Sequence, residues 1–87
     1  MYKDFTIRTV YILEKAGLVV DTAEEAIMAA DMAVAGEVRH AGLRFAVELY
    51  RAAGLGVYPI YNKLSGRVPL ERVKSSCEHF DAFFHWK

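Results

Sequence analysis

Three sets of side chains in this sequence have residue types and spacing that bear on chemistry. Glu37-Val-Arg-His40 places a carboxylate and an imidazole at i and i+3. That pair ligates metal in di-iron helical bundles, which need two such pairs and two further glutamates. This chain carries one pair, so a dimer would have to supply the second, and the simpler reading is a surface Glu–His pair with Arg44 alongside. Near the C-terminus, Cys77 and His79 lie two residues apart and so point to different faces of a helix, whereas a zinc site gathers its four ligands. Glu78, Asp81 and His85 share one helical stripe, which reads as a solvated face. Ser65, Ser75, Ser76 and Cys77 have no base and orienting group at a recognisable spacing, and Gly54-Leu-Gly56 is too short to cradle a phosphate. The sequence therefore predicts no catalytic residue, no cofactor and no metal site. An enzyme is not expected, and Cys77 reads as a small core residue.

The elements that would hold these residues are helices. Residues 4–16 carry both a helical spacing and a β-rich run, Thr6 to Ile12, and the Leu-Glu-Lys-Ala that follows tips the reading to helix. Thr22 and Glu25 form a capping box, opening a helix that runs to Gly42 through an apolar stripe of Ile27, Ala30, Val34, Val38 and Ala41. Gly36 is read as tolerated inside that helix. Ala-Gly-Leu recurs at 16–18, 41–43 and 53–55, each time as a helix stop. Short helices are expected at about 45–53, with Phe45, Leu49 and Ala52 inward, and at about 57–64, where Pro59 falls in the first turn. Ser65-Gly66 ends the latter. Pro69 opens a last helix at about 69–85 with Leu70, Val73, Cys77, Phe80 and Phe84 inward. The expected fold is all-α: one domain over residues 1–87, a compact bundle of about five short helices.

Net charge is zero over 87 residues, but its distribution is uneven. Residues 1–49 hold five basic and eight acidic side chains, whereas residues 50–76 hold Arg51, Lys63, Arg67, Arg72 and Lys74 against Glu71 alone. A local basic patch of this kind suits phosphate contact. The hydrophobic fraction is 54%, above the roughly 45–50% of soluble domains, and so short a chain buries a limited share of it, which points to a homodimer. No apolar run approaches the roughly 20 residues of a membrane span, and the start is unlike a signal peptide, so a cytoplasmic protein without a membrane partner is expected.

Residues 42–76 give the helices an order with functional meaning. "Gly-Leu" at 42–43, "Leu-Tyr-Arg-Ala-Ala-Gly-Leu" at 49–55 and "Ser-Gly-Arg-Val-Pro-Leu-Glu-Arg-Val" at 65–73 resemble the bracing helix, turn and following corner of Cro/phage-repressor-type helix-turn-helix regulators. The resemblance implies a helix-turn-helix centre at 42–76 and double-stranded DNA as partner. Gly56, Val57, Tyr58, Tyr61 and Asn62 would lie on the recognition helix, and Arg51, Lys63 and Arg67 would contact phosphates. Tyr50 stands where that family has a small alanine, Lys63 where it has an apolar residue, and the segment before the turn is one residue longer. Asn62 is the best base reader of the set, by bidentate contact to adenine. The alternative from a different class is a helical protein-binding module, an inhibitor or adaptor of a larger protein. Phe83 and Trp86, which fall off the last helix's apolar stripe, would then be its interface anchors.

Overall fold

A capping box starts the first fully described helix, as the sequence predicts. The Thr22 hydroxyl accepts from the Glu25 N–H at 3.2 Å, and Glu25 Oε1 accepts in return from the N–H groups of Asp21 and Thr22. The computed structural model describes residues 13–15, 17–18, 20–38 and 41–84, the side chains of 83 and 84 excepted. Among these residues the protein is all-α, with five helical segments and no strand. Residues 13–15 are the described part of α1, followed by α2 (Ala23–Val34), α3 (Leu43–Ala52), α4 (Val57–Lys63) and α5 (Leu70–Phe84). Of the doubtful segment 4–16, only residues 13–15 lie within this description; they are helical, and Leu13 is buried.

The helix expected to run to Gly42 stops at Val34 instead. Gly36 takes φ +79, its N–H donates to Ala33 O at 3.1 Å, and the Glu37 N–H reaches Met32 O at 2.9 Å. These are the two bonds of a Schellman motif, and the left-handed residue it needs is easiest for glycine. The buried stripe of α2 also differs from the expected one. Ala26, Ala29, Ala30 and Ala33 face the core, whereas Ile27 and Val34 are half-buried, and Val38 reaches the core from the loop. Glu37 thus lies past the end of α2 and is not helical; Arg39 and His40, the rest of the Glu-x-x-His pair, lie outside the described residues. Of the three Ala-Gly-Leu tripeptides, those at 16–18 and 53–55 do close helices, with Leu18 N–H to Leu13 O at 3.0 Å and Leu55 N–H to Tyr50 O at 3.1 Å. The third does the opposite. Gly42 is the extended N-cap of α3, and its carbonyl accepts from Phe45 and Ala46.

The alanine face of α2 packs on α3, and short side chains there let the two axes come close. On α3 the expected Phe45, Leu49 and Ala52 are joined in the core by Ala46, Val47 and Tyr50. From α4 come Ile60 and, just past its end, Leu64; from α5 come Val73, Cys77 and Phe80, while Leu70 is half-buried. Both α3 and α4 rest on α5 more extensively than on each other.

The α4–α5 corner contains a left-handed residue that is not glycine. Ser65 has φ 54, and its N–H donates to Asn62 O at 3.0 Å. A side chain in this region costs about 1–2 kcal/mol, and glycine's extra freedom in the unfolded chain offsets about 0.5–1 kcal/mol of the gain from replacing it. Ser65→Gly is therefore expected to raise stability by about 0.5–1 kcal/mol. In urea the midpoint should rise with the slope unchanged; a lower midpoint would show that the hydroxyl supports the corner.

Candidate nucleic-acid interface

The segment from Leu43 to Lys63 forms two helices across a four-residue turn. The Schellman closure at Ala53–Leu55 fixes how α4 leaves α3. Gly54 has φ +97, and a Cβ built there meets no atom within 4 Å, so the backbone angle and not lack of space demands glycine. Gly56 is the N-cap of α4, with φ −79, and a Cβ there would make only an ordinary 3.7 Å contact with Pro59. Pro59 sits in the first turn, where its missing N–H leaves no intrahelical bond unmade.

This short helix has two distinct sides. Ile60 is fully buried and Leu64, one place after Lys63, fills the next core position. Tyr58 is 63% exposed; Asn62 lies four residues on, so the two share a face, and it is exposed as well. Val57 and Tyr61 are half-buried and pack against the core. The phenol of Tyr61 is thus partly committed to the fold, while Tyr58 and Asn62 are the outward side chains.

The basic residues of the site have partners that sequence spacing did not reveal. Arg51 is held by the carboxylate of Asp81 on α5, with Nε to Oδ1 at 3.1 Å and Nη2 to Oδ2 at 2.7 Å, and Nη1 donates to Leu55 O at 3.1 Å. The Asp81 carboxylate raises the guanidinium's already high pKa. This fork ties α3 to α5 and braces the turn from behind. Cys77, nearby on α5, is buried, and loss of solvent pushes its thiol pKa up, as befits a core residue. The Lys63 ammonium lies 3.8 Å from Asp31 and 5.9 Å from the centroid of the Tyr50 ring. Arg67 is exposed and donates from Nη1 to Val34 O at 2.6 Å, covering a terminal carbonyl of α2.

The large ring of Tyr50 is accommodated by turning from α3 towards α2. The side chain is 1% exposed, and its hydroxyl donates to Asp31 Oδ1 on α2. Burial, reinforced by the Asp31 hydrogen bond and charge, pushes its pKa well above the ordinary tyrosine value, so it stays a donor. Asp31 thus receives both the Tyr50 hydroxyl and the Lys63 ammonium. Asp31 and Asp81 were missed as organising residues because each acts on a partner far along the chain.

Elsewhere, no three His, Cys, Asp or Glu side chains among the described residues gather as metal ligands. Asp81, expected on a solvated stripe with Glu78 and His85, is the partner of Arg51. Phe83 belongs to α5, but its side chain, like the whole of Trp86, lies outside the described residues. No helix among the described residues is long and apolar enough to cross a membrane. Comparison with protein-family models, with curated proteins and with solved structures finds no match.

Proposed function

We propose that the chain is a small DNA-binding transcriptional regulator of the Cro/phage-repressor type, acting as a cytoplasmic homodimer, with α4 offered to the major groove. The observation that carries this reading is the outer side of α4 and its corner. Tyr58, Asn62, Lys63 and Arg67 are exposed there, while Ile60 and Leu64 anchor the same segment in the core. No carboxylate occurs in the sequence from residue 49 to residue 70. Asn62 supplies the bidentate amide that pairs with adenine, and Tyr58 a hydroxyl for phosphate or base edge. Gly56 and Val57 allow close approach at the start of the helix. Lys63 and Arg67 supply phosphate contacts, for which Lys63 must leave Asp31. Arg51 contributes by fixing the turn, because its guanidinium is already engaged by Asp81 and Leu55.

Fluorescence anisotropy with duplex DNA at rising salt tests this. Affinity should fall with a log–log slope of about −2 per bound protomer, from two phosphate contacts at about −0.9 each, and so about −3.6 for the dimer. Asn62→Ala should cost about 1–3 kcal/mol on the preferred site and relax the preference for adenine at one position. Absence of binding at low salt overturns the reading.

The engagement of Arg51 and Lys63 in pairs within the chain favours a second reading, a protein-binding module. Phe83 and Trp86 are then its anchors. Loss of a partner complex on Trp86→Ala, with folding intact and no DNA binding, would select it.

A further inference from the structure

We propose that the groove between the start of α3 and the α4–α5 corner binds phosphate groups. The groove is open, about 590 Å³ in volume, and takes side chains from three places in the chain: Arg44 on α3, Arg67 at the corner, and Arg72 and Ser76 on α5. Val47 and Val68, both buried, form part of its floor. Among the described residues no carboxylate lines it. The grouping of Arg44 with Arg67 and Arg72 was not apparent from sequence, where Arg44 falls within the acidic first half of the chain.

Three guanidinium groups facing one concavity repel one another, and an anion seated among them removes that repulsion. Arginine's planar fork matches two oxygens of a phosphate at once. Their existing contacts leave them available. Arg72 is exposed and makes no ion pair among the described residues. Arg44 has a half-exposed side chain, with Nε 3.8 Å from Glu48, a weak surface pair. Arg67 spends one N–H on Val34 O and keeps the rest of its five donors. Glu71 precedes Arg72 in sequence but does not line the groove. The Ser76 hydroxyl adds a neutral donor. The first turn of α3, whose N-cap Gly42 has no side chain to bond its free N–H groups, borders the same space and adds to the positive potential.

The ligand chemistry is a phosphate oxygen cluster, supplied either by a DNA backbone or by a free phosphorylated small molecule. The groove needs no base reading by α4, so it goes beyond the function proposed above. Amide chemical shifts, followed with pyrophosphate and separately with a short DNA duplex, test it on the full chain and on Arg72→Gln. That variant changes an exposed side chain with no ion pair among the described residues, and its amide spectrum reports directly whether the fold is kept.

Pyrophosphate is expected to move the amides of Gly42, Leu43, Arg44 and Ser76, and Arg72→Gln to weaken it about tenfold, the loss of one charge-assisted contact. With duplex, the same variant should flatten the salt slope by about 0.9 per bound protomer. Pyrophosphate binding in the groove without duplex binding upholds the groove as a small-anion site and removes the DNA reading. Duplex binding that moves α4 amides, leaves the groove's amides still and ignores Arg72→Gln overturns the groove and keeps the DNA reading. If neither probe moves the groove's amides, the inference is wrong.

Discussion

Replacing Tyr50 by alanine is expected to destabilise the fold by about 3–5 kcal/mol, the range for deleting a buried aromatic ring. Among the described residues Tyr50 is the largest of the fully buried side chains, and it stands where three helices meet. Its backbone belongs to α3, its hydroxyl reaches Asp31 on α2, and Lys63 at the end of α4 lies over its ring. Truncation would leave a cavity between α2 and α3 and remove the surface under Lys63. A domain of this size has a total stability of order 5–10 kcal/mol, so the variant would lie close to unfolding at room temperature. Tyr50→Phe keeps the ring and loses only the hydrogen bond. Asp31 is half exposed and rehydrates, so that change should cost about 0.5–1.5 kcal/mol. Urea denaturation of the two variants separates the contributions. Equal losses would mean that the hydroxyl, and not the ring, holds the three helices together.

The ring also has a consequence for the proposed function. Helix-turn-helix regulators place a small alanine here so that bracing and recognition helices touch. In this chain α3 packs mainly on α2 and then on α5, α4 rests mainly on α5, and the Arg51–Asp81 fork braces the turn. The orientation of α4 is therefore set through α5 as much as through its partner helix.

Ile60→Ala is the second large effect, about 2–5 kcal/mol. Seven residues are far too few for a helix to persist alone in water, so α4 exists because its buried side anchors it. That side consists of Ile60 within the helix and Leu64 at its cap, both with no exposed surface. Removing three carbons from Ile60 loosens the segment that carries Tyr58 and Asn62 while leaving α2, α3 and α5 packed. Hydrogen exchange should show it first at the amides of Ile60 and Leu64, which donate to Gly56 O and Ile60 O at 3.1 Å each. Duplex affinity should fall together with that protection. Faster exchange spread evenly over α2, α3, α4 and α5 would instead show that α4 unfolds only with the whole domain.

Some features of this molecule follow from neighbours in the chain. The capping box at Thr22–Glu25, the helix stops at Gly17 and Gly54, the end of α4 at Ser65-Gly66 and the inward Ile60 are all legible in the sequence. Each is closed by groups within about five positions of one another, and residue type alone decides whether they close. The Val73 N–H bonds Pro69 O at 3.1 Å, so Pro69 begins the last helix for an equally local reason, within one residue of the expected boundary. The all-α class is the sum of such signals.

The sequence also contained two possible stops for α2, and local chemistry could not rank them. Gly36 and Gly42 both follow an alanine, and both can end a helix. Gly36 prevails because ending there lets Val38 turn into the core, leaves Gly42 free to start α3, and exposes the Val34 carbonyl to Arg67. The partners that organise the candidate site are equally remote: Tyr50 and Asp31 are 19 residues apart, Arg51 and Asp81 are 30, and Arg67 and Val34 are 33. The same holds for the three arginines of the groove, gathered from α3, the corner and α5. A charged side chain can pair with many groups at small differences in energy, and only the packing of the helices decides which one lies within reach. The sequence by itself thus determined the helices, most of their ends and the inward side of α4. Tertiary structure decided where α2 stops, which basic residues are engaged within the chain, and which of them line the groove.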